Sequence, residues 1–210
     1  MPRSAAVGLV LAGLLGCSPA GVAPGGEERL RGRAVRTGEA VTLVPCGEAA
    51  GVRLVRLPPE LVEAFQVLPE ASSSLSIEVR GVREGETFRV TALRRAAAHA
   101  DLCREDPAGW LFRATGNEPF WTATLAPRGI VWTEARQLAP ALYPLPSPVV
   151  EGTRRTYTSA SRTVPGDTIE VVLEEGPCLD SMSGDLFPFR AEVHRQGRAA
   201  RGCAAEGTAR

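Results

Sequence analysis

The chain has 210 residues, of which 44% are hydrophobic and 23% are charged. This mixture can bury the core of one or two globular domains, and it excludes an intrinsically disordered chain, a collagen-like fibre and a polytopic membrane protein. Lys plus Arg and Asp plus Glu each number 24, so the formal net charge is zero. Nonspecific nucleic-acid binding needs a basic surface and is therefore disfavoured, and no nucleic-acid partner is expected.

The first residues of the chain follow the pattern of a secretion signal. Arg3 supplies a positive charge, and the apolar run at 5–15 has the length of a signal-peptide core, which is too short to span a bilayer. The run ends in LLGC at 14–17 and resembles the bacterial lipobox, in which signal peptidase II cleaves before a diacylated Cys. The sequence therefore predicts a signal peptide over 1–16 and a lipidated Cys17. The alternative is a plain secretory signal that leaves Cys17 as an odd thiol.

Acyl chains on Cys17 would hold the mature protein at a membrane, which is then a partner through the lipid anchor. The next residue is Ser18, whereas an Asp here would resemble the inner-membrane retention signal of enterobacterial lipoproteins. We therefore expect the protein in the cell envelope, at the periplasmic face of the outer membrane. The segment 17–28 is rich in Pro, Gly and Ala and is predicted to be a flexible tether.

The first half contains short runs that alternate between apolar and polar residues, as half-buried strands do. Such runs lie at 30–36, 40–44, 52–57, 75–80 and 88–92. Gly81 and Gly85 are expected to bracket the hairpin loop between the last two runs. Pro58 opens a predicted short helix with one apolar face. Five strands with one helix predict an OB-like β domain over 29–104.

The second half starts after an Asp-Pro pair at 106–107 and shows the same alternation. Predicted strands lie at 110–114, 119–125, 130–133, 154–162, 168–174, 186–195 and 198–203. A Pro-rich stretch at 140–148 is predicted to be a long loop, and Gly197 a turn. These runs predict a β-barrel-like domain over 109–205. The whole chain is thus expected to be mainly all-β, with two small antiparallel β-barrel-like domains, the first OB-like with one short helix.

Four cysteines remain once Cys17 is set aside: Cys46, Cys103, Cys178 and Cys203. An even number in an oxidising compartment predicts two disulfides. Three pairings are possible, and we favour Cys46–Cys103 and Cys178–Cys203 because each pair lies within one candidate domain. A zinc site is the alternative, but no two cysteines have CxxC spacing and the two histidines do not lie at ligand spacing. No metal or other cofactor is predicted.

Three runs of the second half carry a family resemblance. They are FRATGNEPFW at 112–121, CLDSMSGD at 178–185 and GCA at 202–204. With them, the segment 110–204 resembles a family of bacterial envelope lipoproteins that are often described only as predicted membrane proteins and are sometimes attached to META-type domains. The chain departs from the family pattern at Leu179 and Ser181. The resemblance implies an extracytoplasmic β-rich domain and no known catalytic chemistry.

The first half is similar to the OB-like C-terminal module of the outer-membrane lipoprotein NlpE. The likeness consists of a hairpin with PCG at 45–47 and a following helix that contains Leu61. NlpE is associated with copper stress and surface sensing. The Cys-rich motif that would indicate metal handling is not visible in this sequence, so the copper role is not carried over.

The best candidate for a binding site is the GNEP run at 116–119, because an Asn and a carboxylate where a strand begins could hydrogen-bond a ligand at a barrel mouth. We group Asn117 and Glu118 with Trp121 and Asp180 as candidate ligand-binding residues. The alternative is a structural turn at 116–119, since Asn caps turns and the following Pro presets the backbone. The polar run at 180–185 presents the same choice between an ion site and a turn, and it lacks the spaced ligands of an EF-hand.

No catalytic constellation is recognisable in the sequence, and no catalytic residue is predicted. A serine hydrolase would need a base and a GxSxG elbow. His194 is expected to be solvated, because it alternates with the phenylalanines of its strand. His99 lies in an Ala-rich segment at 95–103 that is predicted to be a short helix. The chain is therefore not expected to be an enzyme.

These observations predict a lipid-anchored periplasmic protein that acts as a noncatalytic binding or envelope-stress module. Its partner would be an unknown envelope protein or a cell-wall ligand. One alternative is an inhibitor or accessory factor of a cell-wall enzyme. The other is a hydrolase that uses Glu118 and Asp180, since two carboxylates are what glycoside hydrolysis requires.

Overall fold

A computed structural model describes residues 26–67, 73–135 and 138–209. The predicted signal peptide, Cys17 and the tether up to residue 25 lie outside the described residues. Within those ranges, no helix is both long enough and apolar enough to cross a membrane. The expectation of a mainly β fold is confirmed, because strands connected into one large sheet dominate the described chain.

Five strands build the first half: β1 (Glu28–Thr37), β2 (Ala40–Pro45), β3 (Val52–Val55), β4 (Ser74–Glu84) and β5 (Thr87–Ala97). They are paired in the order β3-β2-β1-β4-β5, and β3 also pairs in parallel with β5, so the pairings form a ring. Helix α1 (Pro59–Val67) lies between β3 and β4 in the chain and places Leu61 and Phe65 in the same core. The OB-like classification of this half stays a prediction.

One glycine of the β4–β5 hairpin differs from the prediction. Gly85 forms the turn with φ +62°, as expected. Gly81 lies instead within β4, where the register with β5 shifts. A Cβ at Gly81 would overlap the Arg89 carbonyl oxygen and the Phe88 ring, so glycine serves close strand packing here and not the loop.

The predicted helix at 95–103 is wrong. Strand β5 continues to Ala97, because Ala96 and Ala97 are fully buried and extend the ladder with β4. His99 lies in an exposed bend after the strand. Only one 3-10 turn follows, at Leu102–Arg104, and it buries Leu102.

Nine strands build the second half: β6 (Phe112–Asn117), β7 (Phe120–Ala126), β8 (Gly129–Glu134), β9 (Ala141–Tyr143), β10 (Val149–Glu151), β11 (Arg154–Ala160), β12 (Thr168–Leu179), β13 (Leu186–Arg195) and β14 (Arg198–Glu206). They are paired antiparallel in the order β10-β11-β12-β13-β14-β6-β7-β8-β9. The Pro-rich stretch at 140–148 is thus not wholly a loop, because it contains β9 and leads into β10. No pairing joins β9 to β10 in the described chain, so the barrel is partial.

Each half has its own hydrophobic core. The first gathers residues from 30 to 96, and the second gathers residues from 112 to 204. Alternation explains both cores: in β13, Phe189, Ala191 and Val193 are buried, while the alternate positions Arg190 and His194 are exposed. The division into domains at 29–104 and 109–205 stays a prediction.

Two disulfides lie one in each half. Cys46 is bonded to Cys103, and Cys178 is bonded to Cys203. This is the pairing that the sequence favoured, and it leaves the four cysteines without the free thiolates that a zinc site needs. The second bond ties the end of β12 to β14, two strands that are not direct neighbours in the sheet.

Arginines hold the two halves together. The only strand pairing between them in the described chain is Leu186 with Ala96, between β13 and β5. Arg94 of β5 is 6% exposed and donates to Glu175 at 3.1 Å and to Glu206 at 2.8 Å. Charge-assisted hydrogen bonds of this kind fix orientation as well as distance, so the halves are joined by directed polar contacts more than by strand pairing.

Candidate functional site

The β6–β7 turn presents two of the predicted site residues. Asn117 is the last residue of β6, and Glu118 and Pro119 form the turn to Phe120, joined by a cis peptide bond. Asn117 pairs with Phe120 across the turn. The segment is therefore a structural turn, and its Asn and Glu side chains are carried at the end of the hairpin.

The loop between β12 and β13 carries Asp180. Asp180 donates its own N–H to the Asp185 carbonyl, and Gly184 donates to the Asp180 carbonyl, each at 2.9 Å. Gly184 has φ +70°, the left-handed conformation that glycine adopts without strain. These bonds close the polar run into a compact turn.

Asn117 and Asp180 meet although 63 positions separate them in the chain. The Asn117 amide donates to Asp180 Oδ2 at 2.8 Å. Asp180 Oδ1 accepts from the Ser183 N–H at 2.8 Å, the Met182 N–H at 3.0 Å and the Ser183 hydroxyl at 3.1 Å. The carboxylate thus locks the loop to the β6–β7 turn.

The hydrogen bonds also set the protonation state of Asp180. Burial alone would raise the pKa of this carboxyl, but the bonds from Ser183, Asn117 and Met182 outweigh burial and lower its pKa below the ordinary value. Asp180 is therefore an ionised carboxylate whose two oxygens are both occupied. Such a carboxylate holds the loop in place and is poorly suited to act as a base or a nucleophile.

An open groove of about 470 Å³ lies between the turn and this loop. It is lined by three segments, 116–118, 178–181 and 199–203 of β14, and we refer to the last as its floor. Glu118 is exposed at the rim, and no described side chain or main-chain group forms a hydrogen bond or ion pair with its carboxylate. The structure therefore brings Asn117, Glu118 and Asp180 together in one concavity.

Trp121, the fourth candidate, does not line the groove. It is 1% exposed and stacks on Trp132 in the core of the second half, with ring centroids 5.2 Å apart. The alternation along β7 explains this position, because Trp121, Ala123 and Leu125 all point inward. Trp121 is a core residue, and grouping it with the site was wrong.

Asp185 lies under the same loop in a different environment. It is 4% exposed, and burial raises its pKa, although the nearby Arg95 guanidinium opposes this effect. Arg95 lies 3.5 Å from Asp185 Oδ2 and 2.6 Å from Glu105. Because Arg95 belongs to the first half, this cluster is part of the contact between the halves and does not open into the groove.

A second buried polar cluster joins Tyr143 at the end of β9, Asp167 just before β12 and Arg195 at the end of β13. Tyr143 donates to Asp167 at 2.7 Å, and Arg195 donates to Tyr143 at 2.6 Å and to Asp167 at 3.0 Å. Burial alone would raise the pKa of Asp167, but the bonds from Tyr143 and Arg195 lower it. All three groups hydrogen-bond one another, so the cluster links β9 to the β12–β13 pair.

The described chain contains no group of three or more His, Cys, Asp or Glu that could hold a metal ion. His194 is exposed as predicted, and its nearest charged neighbour is Glu192 at 3.3 Å. Glu118 is the one groove carboxylate whose oxygens are not engaged by the described residues. Nothing in this part of the chain points to catalytic activity.

The contribution of the segment 199–203 to the groove was not predicted from the sequence. The run 199–202 was predicted only as the start of a return strand, and its small side chains gave no chemical signal. Arg201, which borders the groove with its side chain 82% exposed, belongs to this run. Its place beside Glu118 depends on the pairing of β14 with β6, which neither segment reveals alone.

No protein-family model, no curated protein and no solved structure matches the chain.

Proposed function

We propose that the protein is a lipid-anchored envelope protein whose second half binds a ligand without transforming it, in the groove between the β6–β7 turn and the loop at 178–185. The observation that carries this proposal is the convergence of Asn117, Glu118 and Asp180 on one concave surface. Sites that bind ligands are concave and present a few fixed polar groups.

The state of the two carboxylates favours binding over hydrolysis. Acid–base hydrolysis of a glycoside needs two carboxyl groups that both face the substrate. Asp180 uses both oxygens to hold the loop, so only Glu118 is available to a ligand among the groove carboxylates. One exposed carboxylate beside the small side chains and main chain of 199–203 can orient a cationic or hydrogen-bonding ligand.

The proposed location is supported by the lipobox-like run at 14–17 and by the cysteines. Two disulfides are typical of proteins that fold in an oxidising compartment. Cell fractionation tests the anchor: the wild-type protein should be recovered with membranes and Cys17→Ser in the soluble fraction. A Cys17→Ser protein that is still acylated and membrane-bound would contradict the anchor.

The binding function is tested with the mature lipidated protein in detergent micelles. Soluble peptidoglycan fragments, oligosaccharides and linear peptides serve as probes, and Glu118→Gln should weaken the binding of any groove ligand at least tenfold. Glu151→Gln is a matched control, because Glu151 is exposed on strand β10 at the far end of the sheet order. Turnover of a glycan or ester probe that disappears in Glu118→Gln would overturn the noncatalytic function.

The alternative role as an inhibitor of a cell-wall enzyme is decided in the same assay. Inhibition of a purified lysozyme or amidase that is lost in Glu118→Gln would place the groove at the contact with that enzyme. Equal inhibition by Glu118→Gln and wild type would mean that the groove is not the functional surface.

A further inference from the structure

An open concavity of about 390 Å³ lies on the second half and shares no lining residue with the groove. Three segments line it: 127–128, 142–145 and 162–163. Leu142 is 60% exposed there, whereas Tyr143, the next residue of β9, is buried in the core. We call the surface formed by these segments and Val164 the Arg128–Arg162 face.

Hydrogen bonds fix the loop between β11 and β12, which forms part of this face. Ser161 donates its N–H to the Asp167 carbonyl at 2.8 Å, and its hydroxyl oxygen accepts from the Val164 N–H at 3.1 Å. Val164 is 52% exposed in this loop and directly follows 162–163, which line the concavity. A loop of defined structure thus holds an apolar side chain in contact with solvent.

The β7–β8 turn is also fixed in place. It consists of Pro127 and Arg128. A Cβ at Gly129 would lie 2.5 Å from the Tyr143 main-chain oxygen, which shows that the hairpin packs closely against β9. The turn therefore keeps Arg128 close to the strand that carries Leu142.

The face carries positive charge that no described residue neutralises. Arg128 and Arg162 are both exposed, and neither guanidinium forms a hydrogen bond or an ion pair with a described residue. No Asp or Glu is among the described residues that line the concavity. The acidic residue that ends the loop, Asp167, is 6% exposed and accepts hydrogen bonds from Tyr143 and Arg195. The complementary partner of this face is therefore negatively charged.

The exposed apolar side chains narrow the class of partner further. A soluble anion such as phosphate would need only the two guanidiniums and would leave Leu142 and Val164 in water. At a bilayer, by contrast, apolar side chains enter the boundary between headgroups and acyl chains, and arginines lie at anionic headgroups. The combination on this face thus favours a membrane over a soluble anion.

The proposed anchor would bring a membrane within reach. Eleven peptide bonds separate Cys17 from Glu28, the first residue of β1. A chain of this length spans at most about 40 Å. A protein tethered at this distance meets the bilayer at a high effective concentration, so even a weak contact is populated. An acidic protein partner has no such advantage.

We propose that the Arg128–Arg162 face lies on the membrane surface, with Leu142 and Val164 in the headgroup region and both guanidiniums beside the phosphates of anionic phospholipids. The contact gives the anchored protein a defined orientation on the bilayer. It goes beyond the proposed ligand-binding function and uses none of the groove residues.

Tryptophan fluorescence tests the contact in the mature protein, reconstituted with phosphatidylcholine vesicles that contain about 30% phosphatidylglycerol, an anionic lipid. Leu142→Trp places a probe on the face, and phospholipids with brominated acyl chains should quench it. Trp110, Trp121 and Trp132 are at most 4% exposed, so the wild type measures their background. Leu179→Trp is the matched control and should stay unquenched, because Leu179 is 55% exposed but lines the groove.

The arginines are tested by removal of their charge. Each arginine near an anionic surface contributes about a fivefold factor to binding. Arg128→Ala/Arg162→Ala should therefore lower the ratio of quenched to unquenched Leu142→Trp protein about 25-fold. Arg53→Ala/Arg104→Ala removes the same charge from exposed residues of the first half and should leave the ratio within about twofold, since salt screens distant charges.

Val164→Trp is a second probe on the same face in case Leu142→Trp does not fold. Absence of quenching at both positions would overturn the inference, whether or not the protein is attached to the vesicles. Quenching of Leu179→Trp as strong as at the face, or equal quenching of Leu142→Trp in vesicles of phosphatidylcholine alone, would overturn it as well. Binding of polyglutamate that needs both arginines, without any quenching, would assign the face to an acidic protein instead.

Discussion

Asp180→Ala should destabilise the second half by releasing the loop at 178–185 from the β6–β7 turn. The substitution removes the acceptor of four hydrogen bonds, three from residues 182–183 and one from Asn117. A hydrogen bond to a charged group contributes about 1.5–3 kcal/mol. The four do not add, because Met182 and Ser183 are exposed and water can satisfy their groups after the substitution. We therefore expect a loss of about 2–3 kcal/mol.

Urea unfolding followed by tryptophan fluorescence measures this loss, since Trp121 and Trp132 lie in the core that Asp180 helps to close. For a protein of this size the melting temperature should fall by roughly 5–10 °C. Ser181→Ala is the control, because Ser181 is exposed in the same loop and forms no described hydrogen bond. If Asp180→Ala stays within about 0.5 kcal/mol of the wild type, the carboxylate does not hold the loop.

Three further predictions concern acid, one glycine and the contact between the halves. Because the pKa values of Asp180 and Asp167 are lowered in the folded protein, their ionised forms stabilise the fold above the ordinary aspartate pKa, and this stabilisation is lost as pH falls through the lowered values. Urea titrations between pH 6 and about pH 2 should show the free energy of unfolding fall. The fall with pH should be less steep for Asp180→Asn. Gly202→Ala should cost about 1–3 kcal/mol in the same assay, because its Cβ would overlap the main chain of β6, whereas Gly109→Ala should be neutral because no atom lies near. Arg94→Ala should lower the free energy of unfolding, measured by calorimetry, by about 1–3 kcal/mol. This value is reduced because the two carboxylate partners of Arg94 are partly exposed to solvent.

Alternation predicted most of the strands because it follows from the pleat of each strand alone. In β13 the inward and outward positions could be read directly from the order of apolar and charged residues. The short strands β9 and β10 could not be predicted in this way. They hold three residues each, lie near prolines, and owe their strand geometry to pairing with the longer strands β8 and β11.

Part of the site could also be predicted from the sequence. The polar character of Asn117, Glu118 and Asp180 is visible in the sequence, and it singled out residues that do share a groove. The assignment of Trp121 to the site did not hold, because its side chain points into the core and not into the groove. The contribution of 199–203 to the groove could not be foreseen, because it arises from the pairing of β14 with β6, two strands that are distant in the chain.

The hydrogen bonds of Arg29 affect how the protein would bear a pulling force. Arg29 lies near the start of β1 and donates to the main-chain carbonyls of Glu206, the last residue of β14, and of Gly207. If the chain is tethered to a lipid as proposed, a pull from the membrane enters the molecule at this end of β1. The load would then be shared between the ladders that β1 forms with β2 and β4 and the terminal strand of the other half. This arrangement would resist pulling β1 out of the sheet, because many hydrogen bonds would have to break at the same time.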